Sequence, residues 1–200
     1  MAPASGKKNL GLHPSLLPQW RGPAPIQFAL LNGDKKTGVS IFELDKEVDA
    51  GRIIAQEEVP ISLSDTYLTL EENLARKGAE LFAEILEPYL KGEIKPLPQK
   101  GKPTYSRLLR KEEGEVNWQK DSAELIWRKF RAFYPWPGVY FILRGKRVKI
   151  TALKFQNRKL KIEKVIPEGK KEMTFAEFLR GYPFPLDLKD KIIYPREVAR

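Results

Sequence analysis

Apolar positions recur along this chain with two periods, near two and near 3.6 residues. Thr37-Gly-Val-Ser-Ile-Phe-Glu-Leu44 alternates and is β-branched, which predicts a strand. Arg52 to Ser62 predicts a second strand, with Pro60 near its end, and Asp49-Ala50-Gly51 is the turn between them. Asn9 to Leu12 reads as the end of an earlier strand. Pro14 and Pro18 forbid regular structure between them, because proline lacks an amide hydrogen and fixes φ. Pro23 and Pro25 suit the first turn of a helix that Ile26, Ala29, Leu30 and Leu31 continue and Gly33 caps. The longest helix is expected over 66–91. Leu70, Leu74, Leu81 and Ile85 line one face of it at helical spacing, which marks core. Asp65 or Thr69 is its expected cap, Thr69 with Glu72 fitting a capping box, and Gly92 is its stop.

Periodicity lapses from Lys91 to Lys111, a stretch rich in Pro, Gly, Lys and Gln that predicts a linker able to wrap over what precedes it. Asp121-Ser-Ala-Glu124 starts a helix to about Phe133. Leu125, Ile126 and Phe130 are expected on its inner face, with Arg128, Lys129 and Arg131 projecting elsewhere. Phe133-Tyr-Pro-Trp-Pro-Gly138 breaks the chain, and its Tyr134 and Trp136 read as packing residues. Strands follow at Val139–Leu143, Val148–Phe155 and Leu160–Ile166, the first two joined at Arg144-Gly145. Thr174 to Arg180 is a short helix, and 183–200 a Pro-rich irregular tail. The expected division is therefore 1–92, a linker over 93–112, and a domain over 113–200. Short strands with a helix and basic loops are compatible with a small barrel.

Composition narrows the chemistry. The 200 residues contain no cysteine and one histidine, so disulfides, thiolate chemistry and a multi-histidine metal site are excluded. The expectation is no metal and a cytoplasmic location. No apolar run approaches the ~18 residues a membrane span needs, and Met1 to Lys8 has no hydrophobic stretch of the kind a signal peptide carries. The net charge is +10, unevenly placed: residues 101–200 hold 24 of the 36 basic and 12 of the 26 acidic side chains. The second half is thus strongly basic and the first slightly acidic, which points to a polyanionic partner, nucleic acid above all. Arg144, Lys146, Arg147, Lys149, Lys154, Arg158, Lys159, Lys161 and Lys164 cluster on the strands and turns of that half. The competing reading is a solvated sheet edge whose lysines discourage aggregation.

Two polar residues stand in a suggestive context. His13 lies in the Pro-bounded loop and Asp49 in the glycine turn. A carboxylate beside an imidazole holds its tautomer and supports proton transfer. Spacing alone leaves open a loop histidine and a turn aspartate that never meet.

The residues carry more than their spacing. His13-Pro-Ser-Leu-Leu-Pro18, Arg21-Gly-Pro-Ala-Pro-Ile-Gln27, Asn32-Gly-Asp34, Thr37-Gly-Val-Ser-Ile41 and Asp49-Ala-Gly51 closely resemble the folate-dependent formyltransferases. Pro98-Gln99, Thr104-Tyr105, Lys111-Glu-Glu-Gly114, Trp118, Arg131-Ala-Phe133, Pro135-Trp-Pro137 and Phe178-Leu-Arg-Gly-Tyr182 resemble the linker and C-terminal domain of the branch that acts on a tRNA. The resemblance implies the C-terminal half of a doubly wound α/β catalytic domain, followed by a small barrel of oligonucleotide-binding type. It implies transfer of a formyl group from 10-formyltetrahydrofolate to the amino group of methionyl-initiator-tRNA, in translation initiation, by a monomer when complete. His13 and Asp49 match the family's catalytic histidine and aspartate. Ser15, Leu16, Leu17, Pro18, Arg21 and Gly22 match the loop beside the reacting groups. The barrel lysines and arginines, Arg144 to Lys161, would meet tRNA phosphates.

Two departures accompany the resemblance. The family's asparagine lies two residues before the histidine, where this chain has Gly11; Asn9 or a backbone N–H is the expected substitute. The family's N-terminal α/β half, which precedes the His13 loop, has no counterpart, so a separate N-terminal half is an expected partner. The alternatives are a catalytically impaired tRNA-binding fragment, or a formyltransferase acting on another amine such as an amino sugar.

Overall fold

The computed structural model describes residues 9–182, 184, 188 and 190–195. Contacts divide the chain into two compact units, the first ending at Leu108 and the second starting at Leu109.

The first unit is a three-stranded antiparallel sheet with two helices: β1 (Leu10–His13), α1 (Pro25–Asn32), β2 (Lys36–Glu43), β3 (Ile53–Pro60) and α2 (Tyr67–Leu90). Strand order is β1-β2-β3, with Gly11 opposite Phe42 and His13 opposite Ser40. Pro25 opens α1, where a missing amide hydrogen costs nothing, and Gly33 closes it in the left-handed conformation at φ 77. The apolar row on α2 packs as its periodicity requires: Leu70, Leu74, Gly78 and Ile85 are buried, and Ile85 joins Ile41 and Ile54 in a core flanked by Leu10, Leu81 and Tyr89. The cap of α2 differs from expectation. Thr66 is the N-cap and Thr69 its third helical residue, Thr66 N–H donating to Thr69 Oγ1 at 3.0 Å. Asp65 instead receives Ser62 N–H at 2.7 Å, tightening the turn before the helix.

Part of the stretch expected as linker lies along this unit. Ile53 and Leu97 exchange two backbone bonds of 2.8 Å, Thr104 N–H donates to Pro18 O at 3.1 Å, and Ser106 N–H donates to Arg21 O at 2.7 Å.

The second unit opens with a 3-10 turn at Lys111–Gly114 and α3 (Ala123–Phe133). A four-stranded antiparallel sheet follows in the order β4 (Val139–Leu143), β5 (Lys146–Gln156), β6 (Lys159–Pro167), β7 (Met173–Thr174), and then α4 (Phe175–Gly181). Both hairpins are tight. Arg144-Gly145 and Asn157-Arg158 have φ of 51, 75, 49 and 61, the left-handed pair that matches strand twist in two-residue connections. Trp118, Phe141, Phe175, Phe178 and Phe184 interlock edge-to-face and stacked beneath the sheet.

Three expectations fail in α3 and the loop after it. Leu125 is 36% exposed rather than inward, whereas Arg131 is only 5% exposed. The Arg131 guanidinium lies 5.9 Å over the Trp127 ring, which lets a long cationic side chain be covered. Trp136, expected to pack, is 56% exposed, and Tyr134 is 43% exposed although its ring lies 6.3 Å from that of Phe130. Most of the tail over 183–200 falls outside the described residues; within it, Ile192 pairs with Leu160.

Candidate active site

His13 ends β1 just as the first proline of the loop takes the chain out of the sheet, and its side chain is buried. Its Nε2 lies 2.9 Å from Trp20 O. A carbonyl oxygen only accepts, so Nε2 is the donor in that contact. Nδ1 faces Asp49 Oδ2 at 3.6 Å. That distance is electrostatic contact rather than a hydrogen bond. A proton arriving on Nδ1 would be met by the carboxylate.

Asp49 is aimed by its backbone. Its φ of 53 lies in the left-handed region, which aspartate tolerates better than most residues. Oδ2 accepts from Gly22 N–H at 2.8 Å, which ties the turn to the His13 loop. Gln99 fixes the turn from the other side: its Nε2 donates to Asp49 O at 2.7 Å and Gly51 O at 2.9 Å, and its Oε1 accepts from Arg21 Nη2 at 2.8 Å. Arg21, itself buried, also reaches Glu47 Oε1 at 3.2 Å.

The loop between His13 and Gly22 is held by its own polar web. Trp20, a bulky residue at φ 57, is pinned by Thr104 Oγ1 on its N–H at 2.8 Å and by Asp34 Oδ2 on its indole at 2.7 Å. Ser40, fully buried on β2, accepts from Leu17 N–H at 3.0 Å and Gln56 Nε2 at 2.7 Å and donates to Ser15 O at 2.6 Å. Ser15 is also buried, its hydroxyl donating to Gln19 O. Leu17 and Pro18 are buried, and Leu16 lies over Gly38. So the structure gathers His13, Arg21, Gly22 and Asp49 at one place and puts Ser15, Leu17 and Pro18 beneath them.

Position 11 holds no amide. A Cβ there would stand 2.7 Å from Phe42 Cε1 and 2.8 Å from Leu44 Cδ2, so these side chains fill the space an asparagine would use. Asn9 does not replace it. It is exposed ahead of β1, its carbonyl taking Leu44 N–H at 2.9 Å, and lies about 13 Å along an extended chain from His13. Among the described residues no group of three or more metal-ligating side chains occurs.

In the second unit the basic residues are not equivalent. Lys154 pairs with Glu163 at 2.8 Å and Lys161 approaches the same carboxylate at 3.9 Å. Lys164 pairs with Glu172 at 2.9 Å, which holds the Glu172 carboxyl below its ordinary range. Arg147 stacks over the Tyr140 ring at 4.0 Å. Lys149 has no carboxylate partner among the described residues. Arg144 and Lys146 sit at the β4–β5 hairpin, and Arg158 and Lys159 at the β5–β6 hairpin.

Comparison with known proteins bears on both units. Residues 3–86 match the family described as formyl transferase, and residues 108–161 match formyl transferase, C-terminal domain. The chain belongs to the formyl transferase family. Methionyl-tRNA formyltransferase of Thermodesulfovibrio yellowstonii is 40% identical over 193 residues, 86% of this chain and 62% of that protein. The Thermus thermophilus protein of the same name is 40% identical over 195 residues, 86% and 63% of the two chains. The chain thus spans a little under two thirds of the length of these curated relatives. In fold it is similar to HypX from Aquifex aeolicus, with a TM-score of 0.68 at 22% identity over 94% of this chain and 37% of that one.

Membership of the formyl transferase family was legible in the motifs, but the residues that hold the site together were not. Gln99, Ser40, Gln56, Thr104 and Ser106 are ordinary polar residues with no pattern of their own. Gln99 and Thr104 stood inside stretches of the resemblance, and that was the available signal.

Proposed function

We propose that this chain carries the formyl-transfer centre and the RNA-docking domain of a methionyl-tRNA formyltransferase, which moves the formyl group of 10-formyltetrahydrofolate onto the amino group of methionyl-initiator-tRNA. The reading rests on the meeting of buried His13 with Asp49 in a chain 40% identical to enzymes of that name. Its structural corollaries are a doubly wound half completing the first unit and closure of the second unit's sheet into an oligonucleotide-binding-type barrel. Its cellular setting is the cytoplasm.

The folate, when bound, supplies an activated formyl carbon. The bond from that carbon to the folate nitrogen breaks as the bond to the methionine nitrogen forms, and the proton lost by the amine ends on the departing nitrogen. His13 is suited to that proton. Its Nε2 is anchored on Trp20 O, so ring orientation is fixed and Nδ1 is the nitrogen able to take a proton up. Asp49 offsets the imidazolium charge and is itself steadied by Gly22 N–H. Arg21 holds the turn through Gln99 instead of facing outward as a free cation. Position 11 fits the chemistry poorly, since Gly11 offers no side-chain donor to the developing oxyanion. Losing one such donor typically costs on the order of a hundred- to a thousand-fold in rate.

The test is formylation of methionyl-tRNA with 10-formyltetrahydrofolate, followed by chromatography of the esterified amino acid. It is run with the full chain alone and with the unmatched portion of a relative added in trans. His13→Ala and Asp49→Asn are expected to lower the rate by about a hundred-fold or more each. Transfer to an amino-sugar nucleotide with none to methionyl-tRNA, or a His13→Ala chain as active as the parent, would overturn the assignment.

A further inference from the structure

The loop Phe133–Gly138 presents two large aromatic side chains to solvent, Tyr134 at 43% and Trp136 at 56% exposure, two residues apart. Tyr134, Pro135 and Gly138 form one wall of a hollow of about 290 Å³, and Lys149, Thr151 and Glu172 from the β5 and β7 side form the other. Gly138 lines the hollow beside Lys149. It sits at φ 76, a left-handed conformation that favours glycine, and the end of the Lys149 stem lies where a Cβ would be, 2.7 Å away.

The polar groups of the hollow are arranged for a ligand with both charge and edges. Lys149 has no carboxylate partner among the described residues, unlike Lys154, Lys161 and Lys164. Glu172 is held by Lys164 at 2.9 Å, which leaves a fixed acceptor at the rim. Lys149 also lines a second hollow of about 510 Å³, together with Arg147, Ile166 and Glu168. Lys149 thus borders both hollows, with Tyr134 lining the first and Arg147 the second. Aromatic faces beside unpaired cations in a groove are the means by which proteins take up single-stranded nucleic acid: rings stack on bases and cations follow the phosphates. The basic excess of this half of the chain points to the same partner.

We propose that the hollow between the 133–138 loop and Lys149 binds an unstacked base of single-stranded RNA, the base lying on Tyr134 and the adjoining phosphate on Lys149. This rests on the reading that the second unit docks RNA, and it deepens that reading from phosphate contact to base stacking. Glu172 favours a base that offers exocyclic or ring N–H donors along its edge.

Fluorescence anisotropy with the intact chain tests it, using a short unstructured oligoribonucleotide and a folded tRNA as probes. Tyr134→Ala is expected to weaken oligonucleotide binding by about 5- to 100-fold, from the usual worth of one stacked base, with the salt slope unchanged. Tyr134→Phe keeps the ring and should bind as the parent does. Lys149→Ala should weaken binding and lower the slope of log K against log salt by about one phosphate's worth. Should Tyr134→Ala not fold, Lys149→Ala decides through that slope. Tyr134→Ala binding as tightly as the parent, or an unchanged slope for Lys149→Ala, overturns the pocket. A parent chain that binds folded tRNA but not the oligonucleotide overturns the pocket and leaves RNA docking standing. A parent chain that binds neither overturns both.

Discussion

Phe42 and Leu44 occupy the space beside Gly11, so the residue expected to donate to an oxyanion is replaced by packing. Phe42 is 2% exposed and has nowhere open to go. Gly11→Ala should therefore destabilise the first unit by about 1–3 kcal/mol, the usual cost of overpacking, as read by denaturant unfolding. Leu44, at 55% exposure, can yield, so Gly11→Ala with Leu44→Ala should recover part of the loss. A Gly11→Ala chain as stable as the parent would show that Phe42 moves freely. Ser40 gives the complementary case. Its hydroxyl serves Leu17 N–H, Gln56 and Ser15 O at once, and Ser40→Ala leaves buried groups unpartnered. That should cost about 1–3 kcal/mol. It should also lower formylation, because the loop under His13 loosens; unaltered stability would count against the web. His13 and Asp49 were readable singly, as an imidazole just before a proline and a carboxylate in a glycine turn. Their meeting was not, because it depends on a left-handed aspartate at φ 53 and on Gln99 arriving from a segment 50 residues on.

At the scale of elements, helices and hairpins followed from period and turn chemistry, since the apolar row on α2 and the strand pairs have no other way to be buried. Caps and faces were less legible. Several hydroxyls precede α2, and the choice of Thr66 is made by which backbone is already extended. On α3 a charged residue reads as outward, yet Trp127 offers Arg131 a ring to lie on. The first turn of α2 makes a pH-dependent prediction. Tyr67 donates its phenol hydrogen to Glu71 one turn on, and burial, then that bond and the Glu71 charge, push its pKa from 10.0 to about 12. The folded state therefore keeps this proton to higher pH than the unfolded chain does. The contribution is fully present below pH 10 and is lost as pH rises toward about 12. Unfolding midpoints across that window should fall more steeply for the parent than for Tyr67→Phe. Parallel curves for the two would remove the linkage.

Across the whole molecule the positive charge is concentrated toward the C-terminal half. Residues 101–200 carry a twofold excess of basic over acidic side chains, while the first hundred are slightly acidic. Many cations of the first unit are also already paired: Lys36 with Glu58, Arg76 with Glu80, Lys77 with Glu57 and Lys91 with Glu87. A cation held by a carboxylate releases little when a phosphate replaces that partner, so RNA affinity should be set by the second unit. Within it the same logic separates residues that look alike in the sequence, since Lys154 and Lys161 share Glu163 whereas Lys149 stands alone among the described residues. Replacing Arg144, Lys146, Arg147 and Lys149 by alanine should reduce the slope of log K against log salt by about 0.7–0.9 for each phosphate no longer neutralised. Replacing Lys36, Arg76, Lys77 and Lys91 should leave that slope nearly unchanged, although the net charge falls by the same amount. The comparison separates local neutralisation from the field of the whole protein. Equal changes in slope for the two sets would mean that overall charge, not the surface of the second unit, draws the RNA.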